Sequence, residues 1–115
     1  MDKLKKTFKA LADKNRIRIL KLLEKKKMCV CEIAFVLGAT QPNISKHLKK
    51  LKSAGLICDE QKGFWTNYFL CAPKDIYARV LLKNLRSWLN TDTEIKNDGE
   101  KAGKANRIKL CCKGK

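Results

Sequence analysis

Cys29 and Cys31 stand one residue apart in the stretch KKKMCVCEIAFVLG, between a basic run and an apolar helical pattern. Thiolates are soft ligands and good nucleophiles, so a pair at the mouth of a helix suits a soft metal, a metalloid or thiol redox chemistry. The remaining cysteines are Cys58 and Cys71, each isolated in sequence, and the neighbours Cys111 and Cys112. Adjacent thiols chelate a small thiophile well, because capturing the second sulfur costs little further entropy. The N-terminal stretch MDKLKKTFKALADKNR has no uninterrupted apolar segment of the kind a secretory signal requires. A disulfide framework is therefore not expected, and the thiols should be reduced in a cytoplasmic protein. The other role open to a cysteine is that of a small buried hydrophobe. Cys58 and Cys71 read as core residues on that basis, and Met28 reads as packing.

The total charge narrows the partner. Across 115 residues, 27 Lys and Arg against 11 Asp and Glu give a formal net charge of +16. An imbalance of that size points to a polyanion, most often nucleic acid. No run approaches the ~18 consecutive apolar residues of a membrane-spanning helix. One histidine, His47, with no Gly-rich phosphate loop and no paired carboxylates, argues against an enzyme. A single small domain buries a modest fraction of its surface, so a partner subunit would add stability.

Periodicity places the elements that must position these residues. Leu4, Phe8 and Leu11 form one face of a first helix, with Lys3, Lys5, Lys6 and Lys9 on the other side. Asp13 can cap a second helix carrying Ile17, Ile19, Leu20, Leu22 and Leu23. A short third helix over residues 30–37 should close on Gly38 in the left-handed conformation. Thr40 caps a fourth helix with Pro42 in its first turn, Ile44, Leu48 and Leu51 as its seam and Gly55 at its end. Leu56 and Ile57 lead into a hairpin that turns at Lys62 and Gly63 and returns through FWTNYFL. A fifth helix presents Tyr77, Leu81, Leu85 and Trp88, with Ile76 and Val80 beside them. Beyond Leu89 the chain is polar with weak periodicity and reads as a flexible basic tail, with a marginal helix over residues 104–110.

This order predicts a mainly α protein with a small β-hairpin: a winged helix-turn-helix of about five helices with a flexible C-terminal tail. Residues 1–89 would form the DNA-binding and dimerisation domain, and residues 90–115 the tail bearing Cys111 and Cys112. The fourth helix would read DNA. Its seam leaves Gln41, Asn43, Ser45, Lys46, Lys49 and Lys50 outward. Gln and Asn can pair with adenine edges, and lysines neutralise phosphates. Gln41, Asn43 and Lys46 are the candidates for base edges. Ser45, His47, Lys49 and Lys50 suit backbone contacts or the turn, and Lys62 at the wing tip can touch the adjacent groove. An unregulated nucleoid-type protein would share the charge but show little sequence preference.

The segments FKALADKNRIRILKLL, CVCEIA, TQPNISKHLKKLKSAGLI and GFWTNYFL resemble consecutive signature segments of the ArsR/SmtB family of winged-helix repressors. The resemblance runs from about residue 8 to residue 70. It implies a homodimer joined mainly through the first and fifth helices. It also implies an imperfect-palindrome operator in double-stranded DNA, with reading helices one turn (roughly 34 Å) apart, and release when an inducer binds. It further implies that the Cys-x-Cys of the third helix is the thiophile site, with arsenite or antimonite as inducer and no organic cofactor. Cadmium or lead, or an oxidative or reactive-sulfur signal, are the alternatives.

The arsenic-responsive pattern has a third cysteine where this chain has Ala34. Cys111 and Cys112 could supply it, since a segment of about twenty residues spans roughly 25 Å. The expected metal set is thus Cys29, Cys31, Cys111 and Cys112. Zinc fits less well, because the family's zinc sites use His and carboxylates on the fifth helix, where Asp75 is alone. Residues i and i+2 do not face each other on a regular helix. Both sulfurs can therefore reach one atom only if the helix start loosens.

Overall fold

A computed structural model describes residues 1–105. Cys111 and Cys112 and most of the expected 104–110 helix lie outside them. The elements run α1 (Asp2–Leu11), α2 (Lys14–Leu23), α3 (Val30–Leu37), α4 (Gln41–Ser53), β1 (Ile57–Lys62), β2 (Trp65–Leu70), α5 (Ile76–Leu85) and α6 (Thr93–Lys104). Local signals start and stop them as expected. The Asp13 carboxylate accepts the N–H groups of Asn15 and Arg16 at 2.8 and 3.1 Å. Thr40 Oγ1 accepts from the N–H of Asn43 at 3.3 Å. Gly38 closes α3 with φ of +66°, a conformation that a Cβ would strain.

The core is built by α2, α3, α4 and the base of the hairpin. Ile19, Leu20, Met28, Ile33, Ile44, Leu48, Leu51, Leu56 and Ile57 are all essentially inaccessible. β1 and β2 pair antiparallel from Ile57↔Leu70 to Lys62↔Trp65. Met28, just ahead of α3, adds a bridge to this ribbon. Its N–H donates to Tyr68 O at 3.1 Å, and the Tyr68 N–H donates back at 2.8 Å.

Three expectations are corrected. The first concerns the start of the tail. Residues 93–104 are helical, capped by the Asp92 carboxylate on the N–H of Ile95 at 3.1 Å. Ile95, Asp98 and Ala102 turn inward. Only two of these are apolar, so the stripe is weak in sequence. An ion pair completes it: Arg18 Nε and Nη2 donate to the two Asp98 oxygens at 2.8 and 2.9 Å. Lys26 Nζ donates to Ala102 O at 3.3 Å, and the Lys101 ammonium lies 5.0 Å from the centre of the Phe35 ring.

The second correction concerns the outer helices. α1 buries Thr7 and Ala10, and α5 buries Ala78, Leu82 and Leu85. Phe8, Ile76, Tyr77, Val80 and Trp88 are exposed instead, at 41–59%. Part of each predicted stripe therefore faces outward in a single chain, while Leu85 is buried and Leu4, Leu11 and Leu81 are half-buried. α5 also stops at Leu85, before Trp88. There the buried Lys21 ammonium donates to Leu85 O at 2.8 Å and pairs with Glu24 at 2.7 Å.

The third correction is a disulfide between Cys58 and Cys71, which are half-buried rather than core thiols. Their separate positions in sequence conceal that the hairpin brings them together.

Asp98 is 5% exposed, so replacing it removes the partner of a largely buried guanidinium. Asp98→Ala should lower unfolding free energy by about 2–4 kcal/mol in denaturant titration. It should also speed hydrogen exchange in α6 more than in α4.

Candidate nucleic-acid interface and thiol site

α4 is amphipathic because Ile44, Leu48 and Leu51 fall on one face, and burying them against α2 and α3 turns the polar set to solvent. Gln41, Asn43, Ser45, Lys46, Lys49 and Lys50 are all exposed, and Lys62 is exposed at the end of β1. His47 is half-buried, and its Nδ1 lies 3.3 Å from Arg16 Nη1. A guanidinium only donates, so Nδ1 is the acceptor in this contact whenever the imidazole is neutral. His47 thus ties α4 to α2.

Arg16 is the hub of this junction and was missed in sequence. It is 9% exposed, and it donates from Nε to Ala10 O at 2.7 Å and from Nη2 to Lys9 O at 3.1 Å. It therefore fixes the end of α1 beside α4. Lys6 and Lys9 then line one open groove of about 440 Å³ with Lys49 and Lys50. An adjoining groove of about 300 Å³ lies between Arg16, Asn43 and Lys46. Lysines on α1 so extend the basic face of α4. The alternation of Lys and apolar residues on α1 was the available signal, but only the fold shows which side meets the groove.

Two ion pairs aim the wing. Lys52 Nζ, in the last turn of α4, meets Asp59 Oδ2 at 2.9 Å. The Asp59 hydrogen bond first, and its charge second, raise the Lys52 pKa. Lys27 Nζ meets Glu60 Oε1 at 3.0 Å and lies 4.7 Å from the Phe69 ring centre.

The first turn of α3 is held by a cysteine. Cys29 is the N-cap residue, extended at φ −92° and ψ 169°. Its sulfur and the Glu32 carboxylate form a reciprocal capping box, with Glu32 Oε1 accepting the Cys29 N–H at 3.0 Å. Cys29 is 3% exposed and Glu32 is 6% exposed. Cys31, one position into the helix, is half-buried and disulfide-bonded. The expectation of fully reduced thiols therefore does not hold for this state. Ala34, where a third thiol was sought, is 7% exposed and packs in the core. Among the described residues, no three His, Cys, Asp or Glu side chains form a metal-sized cluster, and no helix is long and apolar enough to cross a membrane.

The model for the family described as "Bacterial regulatory protein, arsR family" matches residues 13–58. The arsenic resistance transcriptional regulator ArsR1 of Pseudomonas putida is 37% identical over 90 residues, covering 74% of this chain and 70% of that protein. ArsR2 of the same organism is 33% identical over 111 residues, covering 91% and 94%. A homodimeric winged helix-turn-helix DNA-binding domain from Mycobacterium bovis superposes with a TM-score of 0.63 at 28% identity, covering 79% of this chain and 83% of that one.

Asp13 supplies an acid-sensitive element beneath the basic face. Burial pushes its pKa up, but the N–H groups and charge of Arg16, with His47 and the Asn15 N–H, hold it below the usual 3.8. A depressed carboxylate stabilises the fold above its unfolded pKa and loses that contribution as pH falls through the folded one. Asp13→Ala should cost about 1 kcal/mol at neutral pH by thermal unfolding. The difference from wild type should shrink below about pH 4.

Proposed function

This chain belongs to the arsR family of bacterial regulatory proteins, and from that membership we propose that it is a homodimeric transcriptional repressor that leaves its operator when a thiophilic inducer takes its cysteines. The observation that carries this reading is the thiol-capped first turn of α3, in the helix packed against the reading helix. Trivalent arsenic or antimony is the inducer that best fits, with Cys29, Cys31, Cys111 and Cys112 as the donor set. A metalloid bridging Cys29 and Cys31 would withdraw the capping sulfur from the Glu32 amide. The helix start would then loosen, because its first turn loses the side-chain acceptor that caps it. α3 and α4 share a core, so the loss would reach Asn43 and Lys46.

DNA binding draws support from the exposed polar face of α4 and from the grooves that Lys6, Lys9, Lys49 and Lys50 line. In this reading Gln41, Asn43 and Lys46 contact base edges. Ser45, Lys49, Lys50 and Lys62 contact the backbone, and His47 sets the angle of the helix through Arg16. Dimerisation draws support from the apolar side chains that α1 and α5 leave exposed, Phe8, Ile76, Tyr77, Val80 and Trp88 among them. A two-fold axis through those helices would present two reading helices to successive major grooves of an imperfect palindrome.

A second reading keeps the fold and changes the signal. The disulfides of Cys31 and of Cys58 with Cys71 favour a repressor that responds to oxidants or reactive sulfur through thiol oxidation. The two readings separate by mass. Arsenite would add arsenic to the reduced protein, whereas a persulfide donor would link two cysteines through sulfur.

Operator binding followed by fluorescence anisotropy tests the proposal. Lys49→Ala should weaken all DNA sequences alike and reduce the slope of log K against log salt by about 0.9. Asn43→Ala should cost about 1–3 kcal/mol on the operator and little on unrelated DNA. Arsenite or antimonite should release the wild-type protein but not Cys29→Ser. Salt-insensitive binding would overturn the DNA assignment, and unchanged release of Cys29→Ser would overturn the thiol assignment.

A further inference from the structure

We propose that Cys58 and Cys71, once reduced, form a second thiophile site, separate from the α3 thiols, that takes a trivalent arsenical bearing one carbon substituent. The hairpin register creates the pair. Cys58 lies opposite Phe69, and successive strand residues alternate faces, so Cys71 shares the Cys58–Phe69 face. The chain stays paired past the end of β2, where the Cys71 N–H donates to Leu56 O at 3.2 Å. The two Cα atoms lie 5.3 Å apart, within the range over which two sulfurs can meet through one bond or one bridging atom. Both residues are half-buried, so reagents can reach them, whereas Cys29 is buried.

The surroundings select the ligand. Among the described residues, no third His, Cys, Asp or Glu completes a cluster with the pair. A trivalent centre held by these two sulfurs keeps its own third substituent, a hydroxide for arsenite or a carbon group for an organoarsenical. The half-buried Phe69 is on the same face, its ring centre 4.7 Å from the Lys27 ammonium, and it is the apolar side chain paired with Cys58 that a carbon substituent would meet. Two equivalents of a small thiol open the bridge and leave as their own disulfide. The dithiol then meets an organoarsenic dihydroxide. Two As–O bonds break and two As–S bonds form, the two thiol protons depart with the two hydroxides as water, and arsenic stays trivalent. The ring so closed ties β1 to the segment leading into α5.

The test uses the full-length reduced protein and phenylarsine oxide, with bound mass and alkylation mapping as readouts. In wild type, phenylarsine oxide should protect Cys58 and Cys71 together from alkylation. Cys58→Ser/Cys71→Ser should bind one equivalent fewer than wild type. A variant with Cys29, Cys31, Cys111 and Cys112 all changed to Ser should keep one equivalent. Inorganic arsenite should leave the wing pair open to alkylation where phenylarsine oxide closes it. Alkylation of Cys58 and Cys71 in the loaded wild type would overturn the proposal without relying on any variant. Equal protection by arsenite would overturn its ligand class. Operator release of Cys58→Ser/Cys71→Ser by arsenite separately reports on the α3 thiols, so the two assignments can fail independently.

Discussion

A sulfur atom occupies the position at the start of α3 where a hydroxyl or carboxylate oxygen would ordinarily cap a helix. Serine, threonine, aspartate and asparagine dominate such positions because oxygen is a strong acceptor, whereas a thiol is a weak one. Cys29 holds the place with the help of Glu32, whose carboxylate receives the Cys29 N–H at 3.0 Å inside the protein. The cap of this turn is thus a thiol, a group whose capacity to accept changes with its chemical state. Two structures attach to that turn. Ile33 and its neighbours pack with Ile44 and Leu48 of the reading helix, and Met28 is bridged to Tyr68 of the wing. Both elements of a winged helix-turn-helix therefore meet at the residues flanking Cys29.

The charge distribution complements this arrangement. Asp13, Asp59, Asp98, Glu24, Glu60 and Glu94 each pair with a base of the same chain. These acids join α2 to α6, α4 to β1 and the α2–α3 segment to the wing. Among the described residues, none of these pairs involves Lys46, Lys49 or Lys50. Intramolecular pairing thus uses these acids where helices join, and the lysines of the reading face are not among their partners. A polyanion brought to that face meets charge that no carboxylate nearby has neutralised.

Much of this was legible because it is local. Asp13, Thr40, Gly38 and Gly55 announce element ends through hydrogen-bonding capacity or tolerance of positive φ, and the seam of α4 fixes which residues face out. What stayed hidden depends on partners far apart in sequence. α6 has a weak apolar stripe, and contacts with residues far away in sequence, above all that of Asp98 with Arg18 eighty residues earlier, explain why it docks. Cys58 and Cys71 look like isolated core residues until the register of the hairpin is known. Arg16 reads as one more basic residue, although its guanidinium joins α1, α2 and α4. The apolar stripes of α1 and α5 were found, but what covers them was not, because periodicity identifies a face and not the surface that meets it.

Amide hydrogen exchange across the first turn of α3 tests the coupling most directly. The Ile33 N–H, bonded to Cys29 O at 3.1 Å, is the reporter. On adding arsenite to the reduced, DNA-free protein, its exchange should accelerate, and so should exchange in the first turn of α4, with neither change in Cys29→Ser. Unaltered protection of Ile33 in a wild-type protein that has bound arsenic and released DNA would contradict the account.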